Sequence, residues 1–97
     1  MPKDADADFY VRADAHIHLA NDQLGQVENR GMVSASMMYA VARFNTWVSA
    51  CGFSSGDDMA RAHDEMIEYF TEQYRLMLEE NLDDYIQNFS KYMEAKH

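Results

Sequence analysis

The residues best suited to chemistry lie close together near the start of the chain: Asp14, His16, His18 and Asp22. On a helix, Asp14, His18 and Asp22 are spaced by four and lie along one face. Carboxylate oxygens and an imidazole nitrogen are ligands for divalent cations such as zinc. The alternative is an ordinary exposed helix face, which we favour because no H-x-x-x-H pattern completes a ligand set.

Three reactive side chains, His16 among them, have simpler interpretations. His16 lies at the edge of an apolar stripe, which predicts a half-buried histidine or a pH-sensitive contact at a subunit interface. His63 is expected at the edge of the core. Cys51 falls at the C-terminal end of an apolar helix, whereas activated thiols favour helix N-termini and nearby cations. We therefore expect a packed, inert Cys51, no catalytic residue, no cofactor and no enzyme activity.

Arg43 is the only charged residue between Met32 and Gly52. Burying an unpaired charge costs several kcal/mol, so an arginine in a buried helix needs a carboxylate partner. This predicts a structural ion pair with an acid on a neighbouring helix. The alternative is an anion or carboxylate-ligand site at Arg43, with Tyr39 and Asn45 available to help.

The elements that position these residues are helices. Apolar residues recur at spacings of three and four after Asp8, which predicts a first helix over 8–25, preceded by a flexible tail over 1–7. A central helix is predicted over 33–51, with a bulky face and a face of mostly small residues. Because both faces look suited to packing, we expect this helix to be buried. Self-association would cover both faces, and a small, tightly wrapped monomer is the alternative.

The remaining sequence predicts one long helix or two shorter ones. Ser55 and Asp58 have the spacing of a capping box, which predicts a helix over 56–80. Beyond Leu78 the apolar stripe changes register, which predicts a fourth helix over 82–96 or a kinked continuation of the third. Asn81 is a candidate cap for the fourth helix. The whole chain, 1–97, is expected to form a single domain.

Charge restricts the partners. The chain has 8 Lys+Arg against 17 Asp+Glu, a net charge of -9. A surface of this sign repels phosphate backbones and anionic lipids, so nucleic-acid and membrane-surface binding are not expected. A lone cysteine and the lack of a signal-peptide pattern favour a cytoplasmic location.

Three segments resemble a bacterial family catalogued as domain of unknown function 3144. They are FYVRADAHIHLAN (Phe9–Asn21), SASMMYAVARFNTWVSA (Ser34–Ala50) and EYFTEQYRLMLEENLDDYI (Glu68–Ile86). The resemblance covers roughly Phe9 to Phe89 and is one of overall pattern. It implies a small cytoplasmic all-helical protein and brings no catalytic, metal or cofactor residue.

The sequence thus predicts an all-α fold: a compact bundle of three main helices with a short fourth helix at the C-terminal end. The function predicted from it is a non-catalytic protein-interaction or scaffold module, acting through self-association or a helical protein partner. The alternative is a module that binds a divalent metal or a small ligand at the Asp14–Asp22 helix or at Arg43.

Overall fold

The computed structural model describes residues 6–94. Five helices account for most of this range: α1 (Phe9–Leu24), α2 (Arg30–Ala50), α3 (Gly56–Arg61), α4 (His63–Gln87) and α5 (Phe89–Met93). Residues 6–94 contain no strand. The all-α prediction is confirmed, with α1, α2 and α4 as the main helices and α5 as the short C-terminal one. The parts of the predicted 1–7 tail and 82–96 helix that fall on residues 1–5 and 95–96 lie outside the described residues.

The chain divides into two compact units, with the boundary between Met59 and Ala60. In the first unit α1 packs against α2, and in the second α4 packs against α5. That all 97 residues form one domain stays a prediction.

α1 begins and ends one residue inside its predicted bounds. Asp8 occupies the N-cap position, but its side chain makes no capping hydrogen bond. At the other end, Gly25 follows the last helical residue in a right-handed helical conformation. The helix contacts its surroundings along Phe9, Ala13, Ala20 and Gln23, which are half-buried.

α2 begins three residues earlier than predicted because Asn29 caps it. Asn29 is extended (φ -145, ψ 153), and its side-chain oxygen accepts a hydrogen bond from the Met32 backbone N–H at 3.2 Å. Asparagine is one of the preferred N-cap residues, since its side chain satisfies an N–H that has no partner within the helix. The sequence therefore carries this cap signal at Asn29, ahead of the predicted start of α2 at residue 33.

The candidate cap at Asn81 is wrong, because α4 runs without interruption to Gln87, so the helix continues past residue 80 as in the second predicted alternative. The Asn81 side chain donates to the Met77 carbonyl at 2.8 Å, so its amide bonds back within the helix rather than capping a new one. The change in register beyond Leu78 moves the apolar residues to another face of α4 and does not interrupt the helix. The predicted 56–80 helix is instead divided at Ala62, and nothing in that residue type explains the turn.

The break in the C-terminal part lies at Asn88, where a polar cluster joins α4 to α5. The side-chain amide of Asn88 donates to the Asp84 backbone carbonyl at 3.1 Å and to the Asp84 carboxylate at 2.9 Å. The Tyr92 hydroxyl donates to the other oxygen of that carboxylate at 2.8 Å. Tyr92 also lies 4.5 Å from Tyr85 between ring centroids. These contacts hold the single turn of α5 on the end of α4.

Candidate functional site

The most unusual surface of the chain belongs to α2. Val33 is buried, and no other side chain of residues 6–94 is. Large apolar side chains of α2 face solvent around most of its circumference: Met32, Met38, Tyr39, Val41, Phe44, Trp47 and Val48. A helix that is apolar all round normally lies in a protein interior. Most of α2 is therefore exposed rather than buried as predicted, with Met37, Asn45 and Ser49 half-buried in addition to the buried Val33.

The same exposure changes the interpretation of Arg43. This residue is exposed, and no carboxylate of residues 6–94 lies within ion-pair distance of its guanidinium. A buried Arg43 would need a carboxylate partner within the chain, whereas an exposed guanidinium does not. Tyr39 is also exposed, while Asn45 is half-buried. An anion site at Arg43 stays a prediction.

Asp14, His16, His18 and Asp22 all lie on α1 and are exposed. No group of three or more His, Cys, Asp or Glu side chains within residues 6–94 is placed to hold a metal ion. The metal site therefore stays a prediction that rests on helical spacing. His16 is not half-buried as expected, because the neighbouring stripe residue Ile17 is itself 52% exposed and offers little cover.

Two other predicted core positions are also exposed. Cys51 is a free, exposed thiol at the end of α2. His63 is exposed at the start of α4, where its Nδ1 lies 2.9 Å from the Asp64 carboxylate. Both expectations of burial assumed that the apolar residues beside them would be covered.

The cap before α3 has the predicted geometry in part. The Ser55 hydroxyl accepts a hydrogen bond from the Asp58 N–H at 3.1 Å, as a capping residue should. The Asp58 carboxylate accepts from the Ser54 hydroxyl at 2.9 Å. The arrangement satisfies helix N–H groups and puts a negative charge at the positive end of the helix dipole, so its role is structural.

The acidic side of α4 carries an arginine-centred pair network. Arg75 donates to the two Glu72 oxygens at 2.6 and 3.1 Å and also pairs with Glu79. Hydrogen bonding by the guanidinium lowers the pKa of Glu72 below its ordinary value of 4.5. Next to this network, Glu65, Glu68 and Tyr69 help to line an open depression of ≈ 330 Å³. It lies on one exposed helix face, so it offers no enclosed site for a small ligand.

One family model matches most of the chain. It is described as "Protein of unknown function (DUF3144)" and covers residues 9–86. The chain belongs to this family. The resemblance found in the sequence is thus confirmed, and the DUF3144 match includes all of α1 and α2 and all but the last residue of α4. No curated protein and no solved structure matches the chain.

The helices also bear on membrane insertion. Within residues 6–94, no helix has both the length and the apolar character needed to cross a bilayer. Although α2 is long enough, its serines, Asn45, Thr46 and Arg43 make it too polar.

Proposed function

We propose that the chain is a non-catalytic interaction module of the cytoplasm that works by associating with copies of itself. The observation that carries this proposal is the apolar surface of α2, on which seven large apolar side chains are 48% to 69% exposed. A stable interface takes about 800 Å² of surface from each partner, and obligate homodimers take more and are more apolar.

The aromatic character of the exposed α2 surface supports the same proposal. Trp47 and Phe44 are each 62% exposed and Tyr39 is 69% exposed. Aromatic side chains are enriched at the centres of protein interfaces, because they remove a large apolar area from water at a small cost in conformational entropy. A contiguous exposed apolar surface on a monomer normally marks an interaction site.

The non-catalytic part of the proposal rests on the sequence. It contains no Gly-rich phosphate loop, and Cys51 is its single cysteine. Gly52-Phe53-Ser54-Ser55-Gly56 has the letters of a G-x-S-x-G motif, but this segment joins two helices, whereas a nucleophile elbow joins a strand to a helix. A free, exposed thiol fits a reducing compartment such as the cytoplasm.

Sedimentation equilibrium tests the proposal, using chelator-treated protein over a wide concentration range and repeating it with added zinc. A dimer or larger assembly under both conditions is the expected result. A monomer at every concentration would refute self-association.

The same experiment tests the alternative of a metal-binding module. If mass or thermal stability changed only with zinc, and Asp14→Ala and His18→Ala both removed the change, the metal alternative would replace the proposal. A helical partner of different sequence would instead leave the isolated chain monomeric, which also contradicts self-association.

A further inference from the structure

One face of α2 is complementary to itself. Six residues share it within roughly 80° of arc at about 100° per residue: Met32, Ser36, Tyr39, Arg43, Trp47 and Ala50. We call this set the 32–50 face. All six are exposed, and the centre of the face lies roughly 80° around the helix from the buried Val33.

We propose that the 32–50 faces of two copies pack against each other in an antiparallel pair, with a two-fold axis between Tyr39 and Arg43. This inference rests on the proposed self-association and names its surface. In a two-fold interface each contact occurs twice, because residue i meets residue j and residue j meets residue i. A face can pair with itself in this way only if its two halves complement each other.

The two halves of the 32–50 face do so by size. With the axis between Tyr39 and Arg43, Trp47 lies within one residue, about 1.5 Å along the helix, of the position opposite the small Ser36 of the other copy. Likewise, Met32 lies opposite Ala50. Large side chains opposite small ones allow two helices to approach closely and interdigitate.

The halves also complement each other in charge. Arg43 lies opposite the Tyr39 ring of the other copy, and a guanidinium over an aromatic face makes a favourable cation–π contact. α2 contains two arginines and no acidic residue, so an aromatic ring is what a second α2 can offer a cation. Beside the face, the Thr46 hydroxyl donates to the Ala42 carbonyl at 2.8 Å, which satisfies that donor within the helix.

A position-swap experiment tests the central pair. Tyr39→Arg places arginine opposite arginine twice per dimer, and we expect the dimer dissociation constant to rise about tenfold or more. The double variant Tyr39→Arg/Arg43→Tyr restores an arginine–tyrosine pair at exchanged positions and should recover dimer affinity. Tyr74→Ala, which alters an exposed tyrosine of α4, is the matched control and should leave the affinity unchanged.

A cross-linking experiment tests the antiparallel direction. Residues 32 and 50 of one chain lie about 27 Å apart at 1.5 Å per residue, too far for a disulfide within a helix. In a Cys51→Ser background, Met32→Cys/Ala50→Cys should therefore give disulfide-linked dimers with oxidised glutathione. Met32→Cys alone should not, because an antiparallel pair keeps the two copies of position 32 apart.

The outcomes separate this inference from the function on which it rests. A monomeric wild-type chain overturns both. A wild-type dimer that tolerates Tyr39→Arg, or that is not restored by the double variant, overturns the 32–50 face and leaves self-association standing. Efficient cross-linking by Met32→Cys alone overturns the antiparallel arrangement. At protein concentrations high enough to keep each variant dimeric, circular dichroism should show the wild-type helix signal, because the changed side chains are exposed.

Discussion

Dilution should lower the thermal unfolding midpoint of this protein. Within residues 6–94 one side chain, Val33, is buried, which is a very small core. We therefore expect folding to be coupled to association, so that dimers convert directly to unfolded monomers. In such a transition the midpoint depends on the total protein concentration by mass action.

The size of the effect follows from the unfolding enthalpy. The unfolding enthalpy is about 0.7 kcal/mol per residue near 60 °C. Unfolding a dimer of two such chains therefore requires an enthalpy of about 136 kcal/mol. The van't Hoff relation at a midpoint near roughly 333 K then gives a fall of about 4 °C for each tenfold dilution.

Far-UV circular dichroism over a thousandfold concentration range, in cells of matched path length, measures this directly. Refolding after each scan and independence from scan rate are the necessary controls, since irreversible unfolding would make the midpoint kinetic. A midpoint that stays constant across the range would show that the monomer folds alone and would refute the coupling.

Three further predictions concern single sites. Val33→Ala removes two buried methyl groups at about 0.8 kcal/mol each and leaves a cavity. We therefore expect the free energy of unfolding, measured with urea, to fall by about 2 kcal/mol. Val41 is half-exposed, so Val41→Ala should lower it clearly less. Asn29→Ala removes the side-chain cap of α2 and should cost about 1 kcal/mol in the same assay. The Glu72 pKa lies below its ordinary 4.5 because Arg75 donates to it, so this pair stabilises the folded state above pH 4.5, and the contribution is lost as the pH falls through the folded pKa. Carboxyl NMR titration should show the Glu72 pKa rising in Arg75→Gln, and an unchanged value would contradict the pairing.

Local interactions made much of this structure predictable from sequence. The spacing of apolar residues predicts α1 closely because a helix is stabilised by contacts between residues three and four apart. The Ser55 cap, three residues before its partner N–H, is local in the same way. Even the missed cap at Asn29 was present in the sequence as a residue type that favours helix starts.

The break positions show where sequence reasoning stopped. A shift of the apolar stripe beyond Leu78 predicted either a fourth helix or a kinked continuation, and the chain stays helical until Asn88 bonds back to Asp84 and Tyr92 donates to the same carboxylate. Which of two asparagines sits at a helix boundary depends on the side chains that the following turn brings back to it. Spacing alone does not supply that contact.

The sequence by itself determined that the chain is helical, acidic and unusually apolar in α2, because these properties follow from composition and from interactions within a few residues. Only the tertiary structure decided that α2, Arg43, His16 and Cys51 are exposed. Burial depends on which elements meet, and those contacts join residues that are far apart in the chain. An apolar face in the sequence requires a cover, but the sequence does not state whether the same chain or another copy provides it.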